Sequence, residues 1–395
     1  MVTWRRGLQC LLPGQEPAPQ SHRPTADPMR ILFLNSARNW GGNEKWVALA
    51  AQALAREHHV HAAYRRPVVG ERLATLPGVT TVRWPFRAGV DAWTLANLVR
   101  YIRREQIDCL IPTKGKDYAL AGMAARLTGV SNVLRLGIVR RLHPWSHQRW
   151  IYGRWVDGLI VNAPSIRDAA LASGLLTPEQ VAVIPNGVDV DAVTAAAQER
   201  GAPPFPFTVA TAGKLTERKD LATLLRGFAL FAGQVPEAGL VIIGEGGERG
   251  RLEALAQALG IPTRVRFRGY QANPYPDLAT AHAFVSTSRY EGFPYTVIEA
   301  IYLGVPVIAT AAGGTWEWLT PDADGIAIPF AEPAAINQAL SALYNDTARR
   351  QALATQGEAT ARERFDLQLM GKRLSEFLGA VNTQRRGVDR PYTAD

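Results

Sequence analysis

Two successive series of apolar, strand-like runs, separated by helix-like segments, constrain the fold of this chain most strongly. The apolar residues within each run are continuous rather than alternating, which is typical of parallel strands that are buried on both faces of a sheet. Strands alternating with helices predict an α/β fold, and two such series predict two Rossmann-like domains in tandem. The predicted strands are 30–35, 60–64, 109–112, 132–136 and 158–161 in the first series, and 208–211, 240–243, 265–267, 283–287 and 305–309 in the second.

The length of 395 residues and a change in composition predict where the two domains meet. A chain of this length favours two domains or more. Turn residues at 185–189 and a proline cluster at 201–206 separate the two series. We therefore predict a first domain over 29–190, a second over 205–365, and a C-terminal helix over 366–385 that returns to the first domain.

The first 28 residues differ from the rest of the chain. They hold five prolines and no apolar periodicity, whereas the segment from Met29 to Leu34 has the pattern of an opening strand. We expect residues 1–28 to be a disordered or non-native extension.

Composition narrows the class of protein. No apolar run approaches the ~20 residues that a membrane-spanning helix needs. The two cysteines, Cys10 and Cys109, give no disulfide framework, which favours a reducing cytosol.

The net charge of +9 is confined to the first half of the chain. Residues 29–190 hold 21 Lys and Arg against 11 Asp and Glu, whereas residues 191–395 hold 20 against 22. A basic first domain favours an anionic partner, such as a lipid surface, a nucleic acid or a phosphorylated acceptor. The alternative is a basic surface that only keeps the protein in solution.

Glu291 and Glu299 follow the predicted strand 283–287, and Glu299 falls in a helix-like segment. Open α/β sheets bind their ligands at the carboxyl ends of the strands. A ligand that reached both carboxylates would present hydroxyl groups to two acids some distance apart. A sugar joined to a nucleotide has this form.

A turn rich in cations follows the first strand of the second series. It begins at Gly213 and carries Lys214, Arg218 and Lys219. Cations at the carboxyl end of a strand can hold a pyrophosphate and offset the negative charge that grows on it as it leaves. The alternative is a solvated loop.

Two glycine pairs, Gly41-Gly42 and Gly313-Gly314, each follow a strand and precede a helix-like segment. Glycine permits close approach of a ligand to the backbone, and a helix start offers free N–H groups to an anion. Neither pair has the G-x-G-x-x-G dinucleotide pattern. The alternative for each pair is an ordinary turn.

The segment 140–155, which we call the aromatic–basic tract, mixes Arg and His with Trp and Tyr. Such mixtures suit a lipid headgroup interface or single-stranded nucleic acid. The alternative is a helix whose Trp side packs into the core. The sequence has no His and Cys spacing of a metal site and no phosphate-binding loop of the Gly-Lys-Ser/Thr type.

Taken together, these motifs resemble the retaining GT-B glycosyltransferases of family 4 over roughly residues 29–380. Glu291 and Glu299 match the E-x7-E signature of that family. Its other motifs are matched by Pro185-Asn186-Gly187-Val188-Asp189, by Gly213-Lys214-Leu215 with Lys219, and by Gly304-Val305-Pro306-Val307-Ile308 with the later pair Gly313-Gly314.

The resemblance implies a GT-B fold, in which two Rossmann-like domains face each other across a cleft. It implies a sugar nucleotide bound mainly by the second domain, an acceptor bound mainly by the first, transfer with retention, and no required metal or other cofactor. The residues that it implies are Lys214 and Lys219 for the diphosphate, Glu299 for the ribose, Glu291 with the N–H groups of Gly292 and Phe293 for the donor sugar, Gly41 and Gly42 for the phosphate from the first domain, and Arg218, Gly213, Gly313 and Gly314 around the donor.

Two positions depart from the pattern of the family. Its usual Arg is Lys at position 214, which keeps the charge but loses the bidentate fork. Many relatives have a His after the strand 132–136, and this chain has none. Its contacts are expected to fall to one or more of Lys114, Lys116, Asp117, Arg135 and Arg140, and Tyr270 is a candidate neighbour of the base.

We therefore expect a retaining glycosyltransferase that extends a glycan or lipid-linked acceptor in cell-surface polysaccharide or lipopolysaccharide synthesis. We expect it in the cytoplasm, peripherally at the inner membrane face, with a sugar nucleotide and an anionic membrane surface as partners and without nucleic acid. The alternatives are a GT-B sugar-nucleotide epimerase and a catalytically silent GT-B module that binds a glycan or a protein partner.

Overall fold

The computed structural model describes residues 27–87, 91–311 and 314–388. The extension predicted over residues 1–28 lies outside this part of the chain except for its last two residues. Gly313 also lies outside it.

Two parallel sheets organise the described chain. The strands of the first sheet are β1 (Arg30–Asn35), β2 (His59–Tyr64), β3 (Val79–Arg83), β4 (Cys109–Pro112), β5 (Ser131–Leu136), β6 (Gly158–Val161) and β7 (Val181–Val183). Those of the second sheet are β8 (Phe207–Ala212), β9 (Ala238–Ile243), β10 (Val265–Gly269), β11 (Ala283–Ser286), β12 (Val307–Thr310) and β13 (Ile326–Ile328).

Helices connect the strands and cover the sheets. In the first half they are α1 (Gly42–Leu54), α2 (Pro67–Ala74), α3 (Ala92–Glu105), α4 (Gly115–Thr128), α5 (Pro164–Leu171) and α6 (Val190–Ala197). In the second half they are α7 (Leu221–Gln234), α8 (Arg249–Ala258), α9 (Tyr275–Leu278), α10 (Tyr295–Tyr302), α11 (Thr315–Trp318), α12 (Pro333–Asn345), α13 (Thr347–Arg364) and α14 (Leu367–Val388).

The strand order gives each sheet one topological switch point. The order is β3-β2-β1-β4-β5-β6-β7 in the first sheet and β10-β9-β8-β11-β12-β13 in the second, with every pairing parallel. Successive strands run outward in opposite directions from β1/β4 and from β8/β11. Crevices at these points, beyond the carboxyl ends of the strands, are where open α/β sheets bind ligands.

The predicted α/β architecture with two Rossmann-like domains is confirmed, and all ten predicted strands are present with small shifts at their ends. The prediction omitted β3, β7 and β13. β3 and β13 are edge strands, β7 and β13 have three residues each, and β3 is only partly buried. β7 and β13 are apolar but too short to be recognised as strands from their sequence, and β3 includes exposed polar residues, so it lacks the continuous apolar run of a buried strand.

The last helix, α14, crosses from the second half of the chain to the first domain. Its buried Leu374 and Leu378 belong to the same core cluster as residues of β1 and α1. Ser375 Oγ lies 2.8 Å from His58 Nε2, and Arg385 Nη1 lies 2.7 Å from Asp157 Oδ1. α14 therefore ties the second half of the chain to the first sheet.

Candidate active site

The switch point of the second sheet carries the densest group of charged residues predicted from the sequence. The turn after β8 supplies Gly213, Lys214 and Lys219, and the β11–α10 loop (residues 287–294) supplies Glu291. A pocket opens between the two connections, and it is lined by Gly213, Lys214, Lys219, Ser286, Thr287 and Ser288, among others.

Gly213 shapes the turn after β8. Its φ of 147° lies in the region that favours glycine, and a β-carbon there would come within 3.2 Å of Lys219 Cε. Glycine thus lets the Lys219 side chain lie across the turn and point to the β11–α10 loop.

Glu291 lies between two cations. Its Oε1 is 2.5 Å from Arg218 Nη1 and 2.8 Å from Lys219 Nζ. Burial by itself would raise the pKa of Glu291, but the two cations outweigh it and lower that pKa below its usual value. An ionised carboxylate only accepts hydrogen bonds, so Glu291 is equipped to hold hydroxyl groups and not to donate a proton.

Lys214 is the exposed cation of this group. Its side chain forms no ion pair within the described residues, whereas the neighbouring Lys219 is committed to Glu291. The pocket edge therefore presents one uncommitted positive charge beside two that are already paired.

Glu299 is 2% exposed, and its partner comes from the first domain. Lys45, on α1, forms an ion pair with Oε1 of Glu299, and its Nζ also lies 3.0 Å from the hydroxyl of Tyr275. Burial alone would lower the pKa of Lys45, but Glu299 and Tyr275 reverse this and raise it above its ordinary value. Lys45 is therefore a permanent cation that spans the two domains.

The β11–α10 loop packs directly against the first domain. A β-carbon on Gly292 would lie 2.4 Å from the carbonyl oxygen of Gly137 and 2.6 Å from Oδ1 of Asn162, so only glycine fits this approach. Asn186 Nδ2 donates to the carbonyl oxygen of Phe293 at 2.6 Å, and the Phe293 ring is buried. The two domains therefore touch at the β11–α10 loop, and the cleft between them is closed there.

Of the predicted helix-start anion site at Gly313-Gly314, only Gly314 lies within the described residues. α11, which follows it, has only four residues, and the N–H of Gly314 donates to the carbonyl oxygen of Glu291 at 3.1 Å. In this form of the protein the Gly314 N–H is therefore occupied, and it braces the loop that carries Glu291.

The first-domain glycine pair begins α1. Gly41 and Gly42 are exposed, and Gly41 caps the helix with an extended backbone that any residue could adopt. The buried Glu44 fills the first helical turn and forms an ion pair with Lys114 at 2.6 Å. An acid already complements the helix start here, which sequence reasoning about Gly41 and Gly42 did not consider.

The candidate residues of the first domain divide into exposed and buried groups. Lys116 and Arg140 are exposed at the carboxyl edge of the first sheet, and Lys114 is half-buried. Arg135 is buried, donates to Asn43 Oδ1 at 3.1 Å and stacks over the ring of Trp46. Arg135 is therefore tied into the wall of the domain.

Asp117 is buried next to this edge. The N–H of Ser36 donates to its Oδ2 at 3.0 Å, and its Oδ1 has no partner within the described residues. Burial raises the pKa of Asp117 to about 7, against the effect of its hydrogen bonds to Ser36 and of Lys114.

The aromatic–basic tract is divided between core and surface. It includes a π-helical turn, Arg149–Arg154, whose Ile151 and Tyr152 are buried. Trp145 and Trp150 are 82% and 50% exposed. The tract therefore anchors itself through one side and presents large aromatic rings to solvent on the other.

Tyr270 lies in the second domain and contacts the first. It is 57% exposed, and its hydroxyl accepts a hydrogen bond from Arg72 on α2, whose guanidinium also stacks over Trp40 at 4.6 Å. The connection after β10 is thus a second place where the domains touch.

Neither a membrane span nor a metal site is found in the described part of the chain. No helix there is both long and apolar enough to cross a bilayer. Within the same residues, no group of three or more His, Cys, Asp and Glu side chains could hold a metal ion.

Sequence reasoning missed Lys45, Tyr275 and Asn162 as site residues, and it named Asn186 only as part of a motif. Lys45 lies shortly after the glycine pair Gly41-Gly42, but its partner Glu299 is 254 positions away. No local sequence pattern predicts an ion pair between residues so far apart. Asn162 directly follows β6, and that position after a strand was its one available signal, whereas Asn186 belongs to the motif Pro185-Asn186-Gly187-Val188-Asp189.

Solved structures share this architecture. The structure of HepE from Anabaena in complex with UDP-glucose superposes with a TM-score of 0.76 at 21% identity, over 89% of this chain and 100% of that one. The lipopolysaccharide outer core galactosyltransferase WaaB gives a TM-score of 0.66 at 18% identity, over 89% and 99%. At these identities the similarity establishes the fold.

Sequence relatives extend over most of the chain. The lipopolysaccharide core biosynthesis glycosyltransferase LpsE of Rhizobium meliloti is 28% identical over 340 residues, which is 84% of this chain and 94% of the relative. A GDP-mannose-dependent mannosyltransferase of Corynebacterium glutamicum, named for acting on a monoacylated phosphatidylinositol monomannoside, is 28% identical over 75% of this chain and 83% of the relative.

Two family profiles match consecutive parts of the chain. The profile described as Glycosyltransferase Family 4 matches residues 40–192, and the profile described as Glycosyl transferases group 1 matches residues 194–360. Together they cover most of the chain, including the switch point of the second sheet and the Glu291/Glu299 pair. The chain therefore belongs to the family 4 glycosyltransferases of GT-B fold, and it is a glycosyltransferase.

Proposed function

We propose that the protein transfers a sugar, with retention, from a nucleoside-diphosphate sugar to a glycan or lipid-linked acceptor. The observation that carries the proposal is the group of Glu291, Arg218 and Lys219 beside the exposed Lys214 at the switch point of the second sheet. This group combines a carboxylate for sugar hydroxyls with cations for a diphosphate, beside a pocket that Lys214 and Lys219 line.

The ion pairs of Glu291 suggest how a donor would bind. A diphosphate offers Arg218 and Lys219 more negative charge than one carboxylate does, so these cations would turn from Glu291 to the phosphates. Glu291 would then be free to accept hydrogen bonds from the donor sugar. Lys214 and Lys219 would stabilise the leaving diphosphate as its charge grows.

The backbone around the pocket supplies further donor groups. Within the described residues, the N–H groups of Gly292 and Phe293 donate no hydrogen bond, and we propose that they turn to the donor sugar when it binds. Glu299 would receive the ribose, and Gly41 and Gly42 would approach the phosphates from the first domain.

Retention and independence from metal are parts of the proposal that rest on the resemblance and on the charge arrangement. Three cations beside one pocket can offset the charge of a diphosphate without a metal ion. The acceptor would attack on the face from which the diphosphate leaves, and domain closure would exclude water that would otherwise hydrolyse the donor.

The acceptor class follows from the relatives and from the first domain. LpsE is named for lipopolysaccharide core biosynthesis, and the Corynebacterium relative for a phosphatidylinositol mannoside. We therefore propose that this protein builds cell-surface polysaccharide or lipopolysaccharide in the cytoplasm. The exposed Trp145 and Trp150, set among arginines, support peripheral binding to an anionic membrane at its inner face.

The test is a panel of sugar nucleotides incubated with the protein, with and without extracted lipid-linked glycan. We expect release of nucleoside diphosphate that depends on one donor and rises when the acceptor is present. A folded protein that releases none under any condition would instead be a silent binding module. Interconversion of the donor sugar without release would indicate an epimerase.

Retention is tested on the product of the same reaction. The coupling constant of the new anomeric proton in NMR, compared with that of the donor, reports whether the configuration is kept. An inverted product would overturn the retaining mechanism and leave the transferase activity standing.

A further inference from the structure

The side-chain contacts of Glu299 fall on one of its two oxygens. Lys45 from the first domain and Tyr275 from α9 both reach Oε1, with the Tyr275 hydroxyl at 3.3 Å. Within the described residues, Oε2 takes part in no hydrogen bond or ion pair, and it is not among the fully buried atoms that lack a partner. One oxygen is thus held by protein, while the other has no hydrogen-bond partner within the described residues.

Lys45 also retains an unused hydrogen-bond donor. Its ammonium group has three N–H bonds, of which Glu299 and Tyr275 take two. The side chain is 28% exposed although the carboxylate that it contacts is 2% exposed. The third N–H has no hydrogen-bond partner within the described residues.

We infer that Lys45 is a donor-binding residue that completes a ribose subsite shared by the two domains. Glu299 Oε2 accepts a hydrogen bond from one ribose hydroxyl, and the free N–H of Lys45 donates to the oxygen of the adjacent hydroxyl. Tyr275 positions both groups through its own hydroxyl. The inference rests on the proposed function, in which Glu299 receives the ribose of the donor.

The geometry gives this subsite two consequences. A vicinal pair of hydroxyls can satisfy an acceptor and a donor that lie side by side, so the subsite distinguishes ribose from deoxyribose. Because Lys45 belongs to α1 and Glu299 to α10, the subsite is complete only when the domains are closed. Nucleotide binding and domain closure are therefore coupled through one ion pair.

The aromatic surroundings favour the same assignment. The Lys45 ammonium lies 5.5 Å from the ring centre of Tyr275 and 5.4 Å from that of Tyr295, so it is held by ring faces as well as by Glu299. A side chain fixed on three sides loses little further freedom when a ligand takes its remaining N–H.

The experiment measures the affinity of the full chain for the nucleoside diphosphate identified by the donor panel, and for its 2′-deoxy and 3′-deoxy forms, by calorimetry. The variants are Lys45→Met, Lys45→Arg, Tyr275→Phe and Glu299→Gln, with Lys372→Met as the control. Lys372 is exposed on α14. Melting temperatures identify any variant that fails to fold.

We expect wild type and Lys372→Met to prefer the ribonucleotide over a deoxy form by about tenfold or more, the usual effect of one hydrogen bond to a charged group. Lys45→Met should bind the ribonucleotide more weakly and lose most of this preference. Lys45→Arg should retain part of it, and Tyr275→Phe should reduce it less than Lys45→Met does.

The outcomes separate this inference from the proposed function. If Glu299→Gln loses the preference and a folded Lys45→Met keeps it, Lys45 does not bind the ribose and only the inference fails. If Glu299→Gln also keeps the preference, the assignment of Glu299 to the ribose fails as well.

A tighter affinity of Lys45→Met for the nucleotide would show that Lys45 blocks the subsite, which would overturn the inference. If Lys45→Met does not fold, loss of preference in Lys45→Arg relative to Lys372→Met supports the inference, and an unchanged preference contradicts it.

Discussion

The Nζ of Lys219 lies 2.8 Å from Oε1 of Glu291, across the switch point of the second sheet. One residue follows β8 and the other follows β11, so the pair joins the two connections between which a ligand of this fold binds. Each charge thus keeps the other in place.

Replacement of Lys219 by Ala should reduce turnover by about 100-fold or more, because it removes a preorganised charge from the leaving diphosphate. The measurement is donor-dependent release of nucleoside diphosphate at saturating substrates. Lys372→Ala serves as the control for loss of a lysine. An unchanged turnover in Lys219→Ala would contradict the assignment of this residue to the diphosphate.

Asp117 should make the free energy of unfolding depend on pH. Its pKa is raised from 3.8 to about 7 in the folded protein, chiefly by burial. Between those values the folded state holds a proton that the unfolded state has released. Stability should therefore fall as the pH rises through this window, by at most about 1.4 kcal/mol per pH unit from this one group.

The measurement for Asp117 is urea unfolding at pH 5, 6 and 7 for wild type and Asp117→Asn. Asn keeps an oxygen for the Ser36 N–H but does not titrate. The free energy of unfolding of the variant should therefore fall less steeply with pH than that of the wild type. Relative to the wild type, the variant should gain stability toward pH 7. Parallel curves for the two proteins would show that Asp117 does not titrate in this range.

Gly213→Ala should lower both stability and turnover. A β-carbon at this positive φ costs about 1–3 kcal/mol, and it would displace Lys219, which lies within 3.2 Å. The matched control is Gly379→Ala in α14, where a β-carbon meets nothing within 4 Å and should stabilise the helix by about 0.5–1 kcal/mol. Thermal unfolding and product release check the two effects, and equal behaviour of the two variants would contradict the prediction.

Trp145→Ser should weaken binding to anionic vesicles several-fold, because the ring is 82% exposed within the aromatic–basic tract. Co-sedimentation with vesicles of phosphatidylcholine and phosphatidylglycerol measures the effect, and added salt should weaken binding of the wild type. Trp93→Ser, in α3 and 54% exposed, is the control. Binding that is insensitive to salt would argue against electrostatic attachment.

Dialysis against EDTA should leave turnover unchanged, because Lys214, Arg218 and Lys219 can offset the charge of the diphosphate. The comparison is the rate of nucleoside diphosphate release before and after dialysis, and after adding back Mg²⁺ or Mn²⁺. A rate that collapses on dialysis and returns with metal would require a metal-assisted mechanism.

Much of the fold could be predicted because each buried parallel strand is a short, continuous apolar run that can be recognised in the sequence. β1 and β4 were located to the residue, since each is a short apolar run bounded by polar turns. β3 was missed because it lies at the sheet edge, is partly exposed and holds two threonines and an arginine, and β13 was missed because it has only three residues.

The candidate site shows the same division. The sequence was enough to name five residues of the site, because each follows a predicted strand or lies in the helix after it, at the same edge of the sheet. These residues are Gly213, Lys214, Lys219, Glu291 and Glu299. Their partners could not be named. No residue near Glu299 in the sequence indicates that it pairs with Lys45. The hydrogen bond from the N–H of Gly314 to the carbonyl oxygen of Glu291 could not be predicted from the sequence either.

The sequence by itself determined the two Rossmann-like domains, the family, and the residues that face the cleft from the second domain, because these depend on local periodicity and short motifs. The tertiary structure alone decided the state of those residues: Glu291 between Arg218 and Lys219, and Glu299 joined to Lys45. The physical reason is that charges pair according to distance in space, and only packing of the two domains brings residues 45 and 299 into contact.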